Sequence, residues 1–122
     1  MPWEFDNQRP IYTQLIEGLE LRILAGAYPP GSRLPSVRDL AAEAAVNPNT
    51  MQRALTELER SELINTQRTS GRFVTEDAER IRSLRKEIAQ EKLEHFLSEM
   101  RRLGVTRPEL QEYWKSKEES YV

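Results

Sequence analysis

A short run of residues divides this sequence: three prolines and one glycine fall within the seven residues PPGSRLP at positions 29–35. Proline lacks a backbone donor and clashes with the preceding helical turn, so no helix is expected to cross this run. Before it, apolar side chains recur at helical spacing: Tyr12, Leu15, Ile16, Leu19 and Ile23. This pattern predicts a first helix that begins at Pro10 and ends near Ala27.

A second, short helix is predicted directly after the proline run, from Ser36 to Ala45. The Ser36 hydroxyl can cap its first turn, and Asp39 is placed to reach back toward the Ser36 amide, as in a capping box. One apolar stripe is expected to face inward: Val37, Leu40, Ala41 and Ala44. Arg38 lies off this stripe and is predicted to be exposed.

A third helix is predicted to begin at Asn47, although Asn-Pro-Asn resembles a turn. Asparagine is a strong N-cap residue, and proline fits the first helical position because the donor it lacks has no partner there. The inward positions of this helix are Met51, Ala54, Leu55 and Leu58. Its outward positions are Asn49, Thr50, Gln52, Arg53 and Thr56.

Two short helices joined by about three residues predict a helix-turn-helix motif. The outward amides of the second helix can pair with adenine, and its arginine can pair with guanine, in a DNA major groove. The alternative is an ordinary surface helix that carries the same residue types. The residues that follow favour the DNA-binding interpretation.

A hairpin is predicted directly after this helix, with strands at 63–66 and 73–75 and a loop at 67–72. In this position a hairpin is a wing. Its tip would present backbone amides and guanidinium groups to phosphates, from Arg68, Thr69, Ser70, Gly71 and Arg72. The alternative is a solvent-facing turn with two arginines.

The last 47 residues, 76–122, are predicted to form a two-helix arm. Their apolar stripe comprises Ile81, Leu84, Ile88, Leu93, Phe96, Leu97, Met100 and Leu103, followed after a break at 104–106 by Leu110, Tyr113 and Trp114. Two helices cannot bury such a face by themselves. The arm therefore either folds back on the first helix or packs against the same arm of a second copy. We favour a homodimer, because helix-turn-helix proteins usually read two half-sites through two-fold symmetry.

Composition argues against an enzyme. The chain has no cysteine and one histidine, His95, so neither thiolate zinc sites nor a histidine cluster is expected. No nucleotide-binding or metalloprotease motif is present, and we expect no cofactor.

The N-terminal MPWEFDNQ lacks the basic and apolar regions of a signal peptide, and no apolar run is long enough to cross a bilayer. A cytoplasmic location without membrane association is expected. The net charge of −2 does not by itself favour DNA binding.

The order and spacing of these motifs resemble the winged helix-turn-helix domain of GntR-family bacterial transcription regulators. The resemblance rests on PIYTQL, GSRLPSVRDLA, VNPNTMQRALTELE and a glycine-containing wing ending in FV, over residues 10–75. The Asn-Pro-Asn-Thr form and the short tail are similar to the YtrA-like branch. That resemblance implies a repressor role and a target among membrane-transporter operons.

The resemblance also implies roles for individual residues. Arg38 matches the arginine of the family's LPSxRxLA motif, which contacts the DNA backbone. The first turns of the recognition helix match Asn47, Asn49, Thr50, Gln52 and Arg53, and the wing-tip contacts match residues 68–71. Many members read Ser-Arg-x-Thr at 47–50 and have arginine at the position of Gln52. The base preference of other members is therefore not transferable.

Together these patterns predict a mainly α-helical fold with a small β-hairpin. Residues 1–75 would form a winged helix-turn-helix domain, and residues 76–122 a helical dimerisation arm. We predict a homodimeric regulator that binds an inverted-repeat operator in double-stranded DNA, with a small-molecule effector left open. The alternative is a dimeric adaptor whose winged helix binds protein, which the slightly acidic net charge would favour. Tyr113 and Trp114 are expected to pack in the dimer interface; a ligand cage is the other interpretation of these aromatic residues.

Overall fold

The computed structural model describes residues 2–67 and 70–121 of the chain. Within them lie five α-helices and one β-hairpin: α1 (Ile11–Leu24), α2 (Val37–Ala44), α3 (Pro48–Glu59), β1 (Ile64–Gln67), β2 (Gly71–Val74), α4 (Ala78–Arg102) and α5 (Arg107–Lys117). The predicted fold class, mainly helical with a small hairpin, is confirmed. The chain forms two compact units, one up to Arg85 and one from Lys86 onward, so that α4 contributes to both.

The core of the first unit is built mainly between α1 and α3, with α2 packed against α3. Most of the predicted inward positions of the three helices are buried, whereas Tyr12, Ile16 and Val37 are half-buried. The large side chains with less than 2% exposure are Leu15, Leu19, Ile23, Leu40, Met51, Leu55, Leu58, Leu63 and Val74. Because α3 is packed against this core along one face, its opposite face is exposed and its position is fixed.

The first helix ends earlier than the sequence indicated, at Leu24 rather than near Ala27. The reason lies in the backbone after it: Gly26 has a φ of +86°, a left-handed conformation that stops the helix. The amide of Ala27 then donates to the Arg22 carbonyl at 2.8 Å. The alanines before the proline run therefore belong to a cap and not to the helix.

The connection between α2 and α3 has the predicted three residues, 45–47. Ala45 closes α2 in a left-handed conformation, with φ 56° and ψ 46°, and the Val46 amide donates to the Ala41 carbonyl at 3.0 Å. At the start of α2, the Ser36 hydroxyl accepts a hydrogen bond from the Asp39 amide at 3.1 Å. Both ends of the tight helix pair are thus held by local hydrogen bonds.

The hairpin has a shorter turn than predicted, because its strands reach closer to the tip. Gln67 pairs with Gly71 and Ile64 with Val74, so residues 68–70 separate the two strands, and not 67–72. Gly71 has a φ of +101°, which lets the return strand begin immediately. The prediction that placed these residues in a loop was therefore wrong for 67, 71 and 72.

A third extended segment, which the sequence did not reveal, lies beside β2. Arg33 forms an isolated antiparallel bridge with Phe73. The Leu34 amide donates to the Arg72 carbonyl and the Val74 amide donates to the Ser32 carbonyl, both at 2.9 Å. The proline-rich run thus contributes an edge to the wing.

The first turns of α4 are joined to the first unit by two arginines. Arg85 donates through Nε to the Leu24 carbonyl at 2.9 Å, at the end of α1. Arg80 donates through Nη2 to the Ser61 carbonyl at 3.2 Å, just after α3. A guanidinium group is well suited to the unpaired carbonyls at helix ends.

The second unit consists of α4 from Lys86, α5 and a 3₁₀ turn at Glu118–Ser120. The predicted break is confirmed: Gly104 has a φ of +80°, and Thr106 caps α5 in a reciprocal capping box with Glu109. Among the helices in the described part of the chain, none is both long and apolar enough to cross a membrane.

Candidate nucleic-acid interface

The start of α3 is fixed by local chemistry. Asn47 adopts an extended conformation, and its Oδ1 accepts a hydrogen bond from the Asn49 amide at 2.7 Å. Pro48 occupies the first helical turn, as predicted. Because this cap sets the first residue of α3, it also sets which side chains of the first two turns point outward.

The predicted recognition residues of α3 lie on its outer face. Asn47, Asn49, Gln52 and Arg53 are exposed, and Thr50 is half-buried. The opposite face, which includes Met51 and Leu55, is buried in the core. Apart from the capping Asn47, two carboxamides and one guanidinium group are therefore presented together on one side of a helix whose other side is packed in the core. This is the arrangement that base-edge recognition requires.

Arg53 is held in place by an aromatic side chain of α1. Its guanidinium carbon lies 4.3 Å from the ring centroid of Tyr12. The side chain of Tyr12 is half-buried, whereas Arg53 is exposed. Stacking on the ring restricts the arginine without neutralising its charge, so less conformational entropy is lost when it binds.

Arg38 lies on α2 and is exposed, in agreement with its position off the apolar stripe. The residue follows the Ser36 cap by two positions, so it lies in the first turn of its helix. An exposed guanidinium group at this position is available to a phosphate.

The predicted wing residues that the structure describes are Ser70, Gly71 and Arg72. Arg68 and Thr69 lie outside the described residues. Ser70 is exposed and its amide donates to the Gln67 carbonyl at 3.1 Å, and Gly71 begins β2. These two residues lie at the end of the hairpin, as predicted.

Arg72 is engaged within the protein. Its Nε donates to Oε1 of Glu59 at 2.9 Å, and its side chain is only 17% exposed. The same carboxylate oxygen accepts a hydrogen bond from the hydroxyl of Thr66, the residue paired with Arg72 across the hairpin. One carboxylate at the end of α3 therefore holds both strands of the wing.

This cluster changes the ionisation of the carboxyl group. Burial raises the pKa of Glu59, but hydrogen bonds from Thr66 and Arg72 and the positive charge of Arg72 outweigh it, so that the pKa is lowered overall. The pair stays charged at neutral pH. This contact was not predictable from the sequence, because Glu59 and Arg72 are brought together only by the packing of the wing on α3.

The predicted interface residues of the arm have different environments. Ile81 is 4% exposed and belongs to the first unit, so its position in the apolar stripe does not make it available to another chain. Leu84 and Ile88 are half-buried. The rest lie in the second unit and are exposed or half-buried: Phe96, Leu97, Met100, Leu103, Leu110, Tyr113 and Trp114.

An apolar groove of about 410 Å³ lies in the second unit between α4 and α5. It is lined by Leu93, Phe96, Leu97, Met100, Leu110, Tyr113 and Trp114, with Lys117 at its edge. Trp114 is 54% exposed and packs against Tyr121 with ring centroids 6.3 Å apart. Among the described residues no group of three or more His, Cys, Asp or Glu could hold a metal ion.

Residues 11–74 match the family model described as bacterial regulatory proteins, gntR family. The HTH-type transcriptional regulator YhcF of Bacillus subtilis (strain 168) is 38% identical over 109 residues, which cover 89% of this chain and 90% of YhcF.

A second relative and a solved structure agree with this match. The HTH-type transcriptional repressor YtrA of Bacillus subtilis (strain 168) is 43% identical over 72 residues, 59% of this chain and 55% of YtrA. The chain thus matches only about half the length of YtrA. The structure of a GntR family transcriptional regulator from Listeria monocytogenes is similar with a TM-score of 0.86 and 42% identity, covering 92% of this chain and 98% of that chain.

Proposed function

The chain belongs to the GntR family of bacterial regulatory proteins, and from this premise we propose that it is a homodimeric repressor that binds an inverted-repeat operator in duplex DNA. The proteins of this family are transcriptional regulators and not enzymes. The proposal adds what the family alone does not specify: the surface that reads DNA, the oligomeric state, the operator symmetry and the sign of regulation.

The observation that carries the proposal is the outer face of α3. Asn49, Gln52 and Arg53 are exposed on two successive turns of a helix whose other face is fully buried. Carboxamides make bidentate pairs with adenine, and guanidinium groups make them with guanine. Arg53 stacked on Tyr12 is already restricted in orientation, which favours a defined base contact.

The dimer proposal rests on the apolar surface of the second unit. Leu93, Phe96, Leu103, Tyr113 and Trp114 are each at least 44% exposed, which is unusual for large apolar side chains so close in sequence. A second copy of the same arm would cover this surface in an isologous contact. Two winged units related by two-fold symmetry would then read two half-sites in opposite orientation, which is an inverted repeat.

The repressor role is supported by the resemblance to YtrA, whose name states that it is a transcriptional repressor. A dimer bound to a promoter blocks polymerase simply by occupying the DNA. Because its ligand is chromosomal DNA, we place the protein in the cytoplasm. The controlled genes are proposed, on the YtrA resemblance alone, to include a transporter operon.

The experiment that tests the proposal is the selection of binding sites from a random-sequence duplex library. We expect enrichment of one sequence with two-fold symmetry. Gln52→Ala and Arg53→Ala should each lose about 1–3 kcal/mol of discrimination at a defined base pair, whereas Arg38→Ala and Arg68→Ala should weaken binding to all sequences alike. Selection that enriches no sequence would refute sequence-specific recognition.

The second candidate function is a dimeric adaptor whose winged unit binds a protein. The observation that favours it is the charge of residues 1–75, which contain eight basic and nine acidic side chains. The two functions differ in their response to salt. A DNA-binding protein loses affinity for duplex DNA steeply as salt rises, because phosphate contacts release counterions. An adaptor that contacts only protein would not bind duplex DNA with this steep dependence on salt.

A further inference from the structure

The structure brings two arginines to the same part of the wing, and only one of them was expected there. Arg72 lies on β2, and Arg33 lies on the proline-rich segment that pairs with β2. Arg72 is 17% exposed and bound to Glu59, so its charge is balanced within the protein. Arg33 is exposed. The two residues therefore differ in what they can offer to a negatively charged ligand.

The position of Arg33 is fixed by backbone hydrogen bonds on both sides of it. The Leu34 amide donates to the Arg72 carbonyl, and the Ser32 carbonyl accepts from the Val74 amide, both at 2.9 Å. The Arg33 guanidinium group lies directly beside Gly71 at the start of β2. A methyl group added to Gly71 would lie 3.2 Å from Nε and 3.3 Å from Nη2 of Arg33. A side chain at residue 71 would therefore crowd the guanidinium group in its present position by a few tenths of an ångström.

Residues 1–75 contain no lysine and no histidine, so arginines are the only cationic side chains in this part of the chain. Within the described part of this region, most arginines already have a partner: Arg9 pairs with Glu17, Arg22 lies against Trp3, Arg60 pairs with Glu57, Arg72 pairs with Glu59, and Arg53 stacks on Tyr12. Among the same described residues, only Arg33 and Arg38 are exposed without an aromatic ring or carboxylate partner. Arg38 was expected to contact DNA, and Arg33 was not.

We propose that Arg33 is a phosphate-binding cation of the wing, that Gly71 leaves room for its guanidinium group, and that Arg72 is a positioning residue that holds the wing against α3. The proposal rests on the DNA-binding function proposed above and names a further contact in it. An exposed guanidinium group beside the hairpin presents paired donors that match a phosphate. The contact is to the DNA backbone, so it contributes affinity at every sequence.

The test measures how affinity for a random-sequence duplex falls with salt, for the full-length chain and three variants. Arg33→Ala removes the proposed contact. The double variant Glu59→Gln/Arg72→Gln removes the internal ion pair without changing the net charge. Arg82→Ala is the matched control, because Arg82 is exposed on α4 and its loss changes the net charge as Arg33→Ala does. Circular dichroism checks that each variant is folded, and Arg33→Gln replaces Arg33→Ala if the alanine variant is not.

The wild-type protein should show a steep negative slope of log affinity against log salt. In Arg33→Ala the magnitude of this slope should be smaller by about 0.9, the contribution of one phosphate contact. Between about 50 and 200 mM salt, the affinity of the variant should therefore fall about 3.5-fold less than that of the wild type. The double variant and Arg82→Ala should keep the wild-type slope. Arg33→Lys should also keep it, since a lysine retains the charge.

Each other result contradicts a defined part of the inference. If Arg33→Ala kept the wild-type slope, Arg33 would not contact phosphate, although the DNA-binding function would stand. If the double variant lost the slope instead, Arg72 would be the contact. If the wild type itself showed no salt-dependent binding to duplex DNA, the proposed function would fail, and this inference with it.

Discussion

The large apolar side chains of this protein are mostly buried in the first unit and exposed or half-buried in the second. In the first unit Leu15, Leu19, Leu40 and Met51 are completely buried, and the hairpin closes the core with Leu63 and Val74. In the second unit none of the described residues is buried, and Leu103 is 74% exposed. Both units contain amphipathic helices with good caps. The difference therefore lies in how many elements share the apolar surface, and not in the quality of the helices.

This difference separates folding from association. The first unit has three helices, a hairpin and the start of α4 around one core, so its stability should not depend on protein concentration. The second unit has two helices that leave an apolar groove open, so part of its stability should come from a partner. Variants in the two units should consequently change different measured quantities.

The largest expected effect is in the core of the first unit. Leu55 is 1% exposed, and Leu55→Ala should lower the free energy of unfolding by about 2–5 kcal/mol, because it removes buried surface and leaves a cavity. Urea denaturation followed by circular dichroism measures the change. The matched control is Leu103→Ala, the same substitution at a residue that is 74% exposed. Equal losses in the two variants would contradict the contrast between the units.

The next effect should appear in association. Trp114→Ala should weaken self-association by about 2 kcal/mol, or about 30-fold in the dissociation constant, as expected for an aromatic residue at the centre of an interface. Sedimentation equilibrium measures it. Leu21→Ala is the control, because Leu21 on α1 is also 54% exposed but lies in the closed unit. Association that Trp114→Ala leaves unchanged would mean that the groove does not bind a second copy.

The features that could be predicted from the sequence are those that local chemistry determines. The starts of α3 and α5 at Asn47 and Thr106 follow from N-cap and proline preferences within a few residues. The inward face of α3 follows from periodicity, because apolar residues recur on the same side of each helical turn. The exposed residues of α3 that we propose to face DNA were predictable for the same reason, because they lie on the opposite face of the helix.

The features that could not be predicted depend on contacts distant in sequence. Arg72 was expected to face DNA, but its partner Glu59 is 13 residues away and is brought near only by packing of the wing. Arg33 was missed because its pairing with Phe73 spans 40 residues. Ile81 shows a further limit: an apolar stripe runs without interruption along α4, and periodicity does not show where the core ends.

Helix caps provide a smaller and more direct comparison of the two units. Asn47→Ala should lower the free energy of unfolding of the first unit by about 1 kcal/mol, since it removes the acceptor of the Asn49 amide. Thr106→Ala removes the corresponding cap of α5 and should instead weaken self-association, because α5 forms one wall of the groove. Denaturation and sedimentation of both variants check this division. A loss of unfolding stability from both caps with association unchanged would argue against it.

The smallest expected effect concerns the ion pair that holds the wing. Because the pKa of Glu59 is lowered in the folded state, the charged pair contributes stability above the ordinary glutamate pKa, and this contribution is lost as the pH falls through the lowered value. At neutral pH, Glu59→Gln should therefore cost about 0.5–1 kcal/mol of unfolding free energy, and the difference from the wild type should shrink in acid. Denaturation of both proteins at neutral and acidic pH measures this difference. The control is Glu57→Gln, whose carboxylate lies 3.5 Å from Arg60 in a more exposed pair, and which should change stability less. A difference for Glu59→Gln that stayed constant down to low pH would show that the wing is held by hydrogen bonds alone and not by charge.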